Sequence, residues 1–134
     1  MDKILPKPTK ISAPFWEACR NGRLTIQRCA DCGTYVYYPA YMCPRCTSSE
    51  LAWTEVSGRG SVYSCTVVER PATPAYKDDV PLAVALIELD EGPVMMSNVV
   101  NVDPHAVRIG DRVQVAFKRM SPDVTLPVFE PAQA

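Results

Sequence analysis

The sequence predicts a mainly β chain: a short N-terminal helix, a small ribbon carrying four cysteines, then a small closed barrel of the OB type. Three observations predict it. Two C-x-x-C pairs, Cys29-Ala30-Asp31-Cys32 and Cys43-Pro44-Arg45-Cys46, stand with ten residues between them. Five β-prone runs follow between residues 61 and 129. Thirteen prolines in 134 residues, about twice average usage, interrupt the chain too often for long helices. That length makes one domain, or two very small ones sharing a core.

Residues 1–22 read as an extended arm and a helix. Pro6, Pro8 and three lysines fill the arm. The helix spans Pro14 to Asn21, with Ser12 or Ala13 near its N-cap, Pro14 in its first turn and Gly22 at its stop. Phe15, Trp16 and Cys19 share one face, and a helix this short must lay that face on something.

Residues 23–57 form the ribbon. Leu24 and Ile26 alternate with polar residues into the first C-x-x-C, and Thr34 to Pro39 is β-prone, part of a small hairpin. Leu51 to Val56 closes the ribbon. A C-x-x-C turn aims two sulfurs at one spot, and two such knuckles facing each other make a tetrahedron of thiolates. Cys29, Cys32, Cys43 and Cys46 are therefore the expected ligands of one structural Zn²⁺ in a rubredoxin-like ribbon. Gly33, free to adopt positive φ, lets the backbone turn towards the first pair. With four protein ligands the ion keeps no open position, so it folds the chain and catalyses nothing. Four thiolates also hold iron, and spacing does not choose between the metals. A disulfide framework is the third reading, disfavoured in a chain with no mark of secretion. Cys19 and Cys65 stand apart and read as buried thiols acting as small hydrophobes.

Residues 58–134 form the barrel and its tail. Ser57 to Ser61 reads as a turn. Strands are expected over Ser61 to Glu69, Leu82 to Leu89, Val94 to Val100, Arg112 to Arg119 and Val124 to Phe129. Leu82 to Leu89, apolar on both faces, is central. Pro127 confines the last strand to an edge or a bulge. Pro71 to Pro81 is a long exposed loop, and Asp90-Glu91-Gly92-Pro93 a hairpin turn. Five strands suit an OB barrel, with a small sandwich as the alternative.

Composition narrows the function. A hydrophobic share of 47% and a charged share of 22% suit a globular chain. Fourteen Lys and Arg against 15 Asp and Glu, a net charge of −1, argue against nucleic acid or an anionic membrane as main partner. The N-terminus lacks the long apolar run of a signal peptide, and Leu82 to Ile87 is too short to cross a bilayer, so a cytoplasmic location is expected. No catalytic set stands out. The single histidine, His105, lies in a polar connection, and Asp78-Asp79 and Asp90-Glu91 sit at turn tips as solvated charge.

The order of parts carries a resemblance. Pro14-Phe15-Trp16-Glu17 leads through Gly22-Arg23-Leu24 to Arg28-Cys29-Ala30-Asp31-Cys32-Gly33. Pro39, Cys43-Pro44-Arg45-Cys46, Trp53, Gly58-Arg59-Gly60 and Ile109-Gly110-Asp111-Arg112-Val113 follow. From about residue 10 to 131 the chain resembles the small zinc-ribbon plus OB-fold proteins first catalogued as a domain of unknown function. The resemblance implies a non-catalytic accessory subunit in a hetero-oligomer. The catalytic partner is a thiolase-like protein (thiolase, acyltransferase or aldolase) acting on acyl-CoA or acyl-group substrates. Acyl-CoA at a shared interface is a further expectation. The alternative is a nucleic-acid-binding module, since OB barrels and zinc ribbons both serve there. Arg59, Arg112, Lys118, Arg119 and the tyrosines would then meet the strand.

Overall fold

The structure is a computed structural model and describes residues 2–133. Met1 and Ala134, the outer ends of the expected arm and tail, lie outside the described residues.

Helix α1 runs Ala13–Arg20 and buries Phe15, Ala18 and Cys19. Ser12 precedes it, yet its side chain caps nothing in the helix. Pro14 has no N–H at the second helical position, so one of the two donors a Ser12 cap would serve is missing. Ser12 Oγ accepts instead from the Thr9 N–H at 2.8 Å. After Asn21 the chain reverses through Gly22, where φ is +72°. The Arg23 N–H reaches back to the Ala18 carbonyl at 2.9 Å.

Strands β1 (Thr25–Cys29), β2 (Tyr35–Val36) and β3 (Leu51–Glu55) form an antiparallel sheet in the order β2-β1-β3. The remaining five strands are β4 (Arg59–Val68), β5 (Leu82–Leu89), β6 (Val94–Val99), β7 (Arg112–Arg119) and β8 (Thr125–Pro131). They close into a barrel in the order β4-β5-β6-β8-β7, with β7 returning to β4. Closure excludes the sandwich and removes the open edges a flat sheet would leave. All five expected strands are present.

Two details differ from expectation. Gly60 and Ser61 belong to β4 and not to a turn, since they pair with Leu89 and Glu88. A Cβ on Gly60 would sit 2.5 Å from the Glu88 carbonyl oxygen. The glycine that read as a turn signal is there because two strands pass too closely for a side chain. Pro127 lies inside the closing strand, opposite Phe117 of β7. On its other flank β8 meets β6 at one residue pair, Val99 and Phe129, in parallel. Pro127 thus falls where the ladder has no partner to lose, a local edge within a closed barrel.

One apolar cluster joins the parts. Phe15 and Cys19 of α1, Leu24 and Ile26 of the ribbon, and Val62, Ile87 and Phe129 of the barrel all belong to it. Cys19 is fully buried as expected, and burial pushes its thiol up to about 12. Cys65 is only half-buried, its Sγ 3.8 Å from the Val107 carbonyl. It stands opposite buried Ala85, past the irregularity at Val62–Ser64, and packs against the rim of the core.

Candidate metal centre

The first knuckle begins on the last residue of β1. The Cys29 N–H donates to the Thr34 carbonyl at 2.9 Å, and the Gly33 N–H returns to the Cys29 carbonyl at 2.9 Å. Gly33 has φ +76°. The second knuckle repeats this construction. The Cys43 N–H donates to the Ser48 carbonyl at 2.8 Å, and the Thr47 N–H to the Cys43 carbonyl at 2.9 Å. Thr47 takes the left-handed place of Gly33, with φ +63°. A β-branched residue there costs about 1–2 kcal/mol, so the turn is imposed by what the knuckle holds. Sequence reasoning found Gly33 and missed Thr47, because threonine does not announce positive φ.

The two knuckles face each other. Cys29 and Cys46 Sγ are 3.5 Å apart, and Cys32 and Cys43 Sγ are 3.6 Å apart. All four sulfurs lie within 4.8 Å of one another. A tetrahedron with bonds of about 2.3 Å to a central zinc has sulfur–sulfur edges of about 3.8 Å, so the set fits one zinc ion. The Arg45 N–H points at Cys43 Sγ from 3.4 Å, and the Ser48 hydroxyl donates to Asp31, lacing one knuckle to the other. Cys29 and Cys43 are buried; Cys32 and Cys46 face solvent.

Four sulfurs this close cannot all ionise without a cation among them. Hydrogen bonding with the Thr34 hydroxyl, 3.1 Å from Cys32 Sγ, and with the Thr34 backbone pulls Cys32 down to about 6. At Cys46 the Ser48 backbone works in the same direction, but the Cys29 thiol, partial removal from water and the thiols of Cys32 and Cys43 together outweigh it and push that group to about 12. A bound Zn²⁺ supplies the charge that lets all four be thiolates.

Around this centre lie features that the cysteine pattern did not disclose. Buried Gln27 clamps the loop between the knuckles. Its Nε2 donates to the Ala40 carbonyl at 3.0 Å and its Oε1 accepts from the Ala40 N–H at 2.7 Å. An aromatic file of Trp16, Phe15, Tyr37 and Tyr38 links α1 to the ribbon, with centroids 5.0, 6.2 and 4.7 Å apart in turn. Beside it, a cleft of about 290 Å³ separates Trp16 and Tyr38 from Met96 and Leu126 of the barrel.

His105 is exposed, as expected, in a 3₁₀ turn, Pro104–Ala106. Its Nε2 meets Glu69, and that hydrogen bond raises its pKa. The turn-tip acids are not all idle. Asp90 holds Arg112 through two bonds of 2.8 and 2.9 Å, and Glu91 accepts from the Ser57 N–H at 2.9 Å. Asp79 pairs with Lys3 at 2.8 Å. Arg112 and Arg59 are thus placed beside acids, while Lys118 and Arg119 stand exposed at the end of β7. Among the described residues no helix is long and apolar enough to cross a membrane.

A four-cysteine zinc ribbon standing against a five-stranded closed barrel defines a zinc-ribbon plus OB-fold protein. Residues 16–52 match the model of the ChsH2 rubredoxin-like zinc ribbon domain, and residues 53–118 that of the ChsH2 C-terminal OB-fold domain. The chain belongs to the DUF35 family. It is 35% identical over 98 residues to a DUF35 domain-containing scaffold protein of Methanothermobacter thermautotrophicus, covering 72% of this chain and 73% of that one. It is 42% identical over 131 residues to a probable enoyl-CoA hydratase alpha subunit of Thermomonospora curvata. That match covers 96% of this chain and 40% of the relative, so the chain spans about two fifths of the relative's length. A chain of the Ltp2–ChsH2(DUF35) aldolase superposes with a TM-score of 0.84 and 38% identity, over 95% of this chain and 98% of that one.

Proposed function

We propose that this chain is a non-catalytic accessory subunit of an enzyme complex that processes acyl-CoA, and that its catalytic partner is a thiolase-like protein. The observation that carries the reading is the superposition, nearly end to end, on a chain of the Ltp2–ChsH2(DUF35) aldolase. The match to an enoyl-CoA hydratase alpha subunit supports the acyl-CoA substrate class. The chemistry of the chain agrees with an accessory role. The metal's four ligands are all protein sulfurs, so a tetrahedral ion has no position left for water or substrate. The one histidine is exposed and engaged with Glu69. Acyl-CoA bound at an interface shared by both subunits is the finer part of the proposal.

The test is to tag the chain, recover it from its native host at moderate salt, and identify what accompanies it. A thiolase-like protein in near-stoichiometric amount, with acyl-CoA turnover by the pair and none by this chain alone, is the expected result. Enzyme-like turnover by the isolated chain overturns the proposal. A nuclease-sensitive set of nucleic-acid proteins overturns it in favour of the nucleic-acid module. Calorimetric titration with CoA then checks the shared site: heat is expected with the pair and absent with the single chain.

A further inference from the structure

A cavity of about 540 Å³ lies between the 3₁₀ turn Pro74–Tyr76, strands β5, β6 and β8, and the N-terminal arm. That volume is ordinary for a small-molecule site. Leu82, Val99, Leu126 and Val128 give it apolar walls. Lys3, Lys118, Asp78 and Asp79 also line it. Two amines stand against two carboxylates, so the cavity asks for no net charge in its occupant.

The arm that covers this cavity is held at two points. Lys3 Nζ lies 2.8 Å from Asp79 and 5.4 Å from the centre of the Tyr76 ring. At the other end Thr9 and Ser12 interlock, the Ser12 N–H donating to Thr9 Oγ1 at 3.2 Å and the Thr9 N–H to Ser12 Oγ at 2.8 Å. Among the described residues, no hydrogen bond ties residues 4–8 to the barrel, and Pro6 and Pro8 have no N–H to give. Exposure alternates along the extended arm: Lys3 and Leu5 are half-buried and line the cavity, while Ile4 between them is 91% exposed. Leu5 is thus the single large apolar side chain that the arm turns inward between Lys3 and Pro6. The Lys3–Asp79 latch keeps about a quarter to a third of its side-chain surface in water, and pairs of that kind are weak.

We propose that residues 2–8 are a strap, latched by Lys3 on Asp79 and Tyr76, that gates a binding cavity for a neutral apolar small molecule at the side of the barrel. The inference is independent of the accessory-subunit reading, because it concerns a cavity complete within this chain.

Charge reversal tests it on the full chain, with the neutral fluorophore N-phenyl-1-naphthylamine as the probe. Lys3→Glu and Asp79→Lys each free the strap, and each is expected to tighten probe binding by about two- to fivefold, the range an exposed ion pair controls. The double variant K3E/D79K restores the latch with its charges exchanged, and its affinity returns to that of the parent. Val102→Phe, added to K3E, fills the cavity and abolishes binding; Leu126→Phe serves the same purpose if the first melts early. The proposal is overturned if the single reversals bind as the parent does, if the double variant keeps the gain, or if both filled cavities still bind the probe. Failure of every variant to bind overturns it as well.

Discussion

The ribbon and the barrel solve one problem in opposite ways. Within the barrel, Val62, Ile87, Leu89, Met95, Val113 and Phe129 are fully buried, and each withdraws apolar surface from water. From Ala30 to Glu55, by contrast, only Val36 and Cys43 are buried. A segment with so little interior cannot offset the entropy of ordering its backbone by apolar burial. Coordination replaces burial there. The base of the ribbon is different again, for Leu24 and Ile26 enter the common cluster with the barrel. The metal therefore organises the outer ribbon, and the hydrophobic effect organises everything beneath it.

The contrast breaks most visibly when the metal is lost. Cys29→Ser or Cys46→Ser removes a ligand from a site whose binding is worth about 10–16 kcal/mol in small zinc domains. Amide exchange is expected to show protection lost across β2 and the two knuckles, with β5 still protected. Wild-type melting in both variants would contradict a structural metal. Chelation at neutral pH should reproduce the same pattern without any substitution.

The reciprocal experiment weakens the barrel. Ile87 is fully buried, and Ile87→Ala should cost about 2–5 kcal/mol in denaturant unfolding. The barrel and the base of the ribbon should unfold together, since they share one core. If β1 kept its protection after β5 melted, the common cluster would not be what joins the two units.

A smaller effect comes from the close strand crossing. Gly60→Ala puts a methyl 2.5 Å from the Glu88 carbonyl oxygen, which is backbone and cannot swing aside. The expected loss is about 1–3 kcal/mol, read as a lower denaturant midpoint with metal content unchanged. A reduced zinc content would mean that strain in the barrel reaches the knuckles.

The smallest effect belongs to His105. Its hydrogen bond to Glu69 raises its pKa above the ordinary 6.5, with the Glu69 charge adding to the shift. The folded state therefore holds this proton more tightly than the unfolded chain does. The stabilisation is fully present below the unfolded value and disappears as pH rises through the folded one. Melting temperature measured from pH 5 to 9 should show a shallow decline in this window, and His105→Gln should flatten it. An equal slope in the variant would assign the decline to other groups.

Much of this molecule was legible before any coordinates. Two C-x-x-C pairs and five β-prone runs led to the metal ligands and to every barrel strand, because each signal is local. A knuckle needs only the residues of one tight turn, and period-two alternation needs only one strand. The errors lie where a local signal had a distant cause. Gly58-Arg59-Gly60 read as a turn, yet Gly60 answers to Glu88 across the ladder. Asp90 and Glu91 read as solvated charge, yet they hold Arg112 and Ser57. Cys65 read as buried, yet it is only half-buried although it stands opposite Ala85 and packs against the core, because it lies past the irregularity in β4 where the core thins. Gln27 and Thr47 carried no recognisable signal, since neither residue type is diagnostic of a loop clamp or a left-handed turn.

By itself, then, the sequence determined the chemistry of the metal site and the secondary structure on either side of it. Ligand spacing and strand periodicity are properties of consecutive residues. Only the tertiary structure decided that β6 and β8 meet at a single pair, that α1 and the ribbon base join the barrel's core, and that Lys3 reaches Asp79 across a cavity. Each of these depends on segments far apart in the chain, and their meeting is set by barrel closure and by how the apolar faces pack.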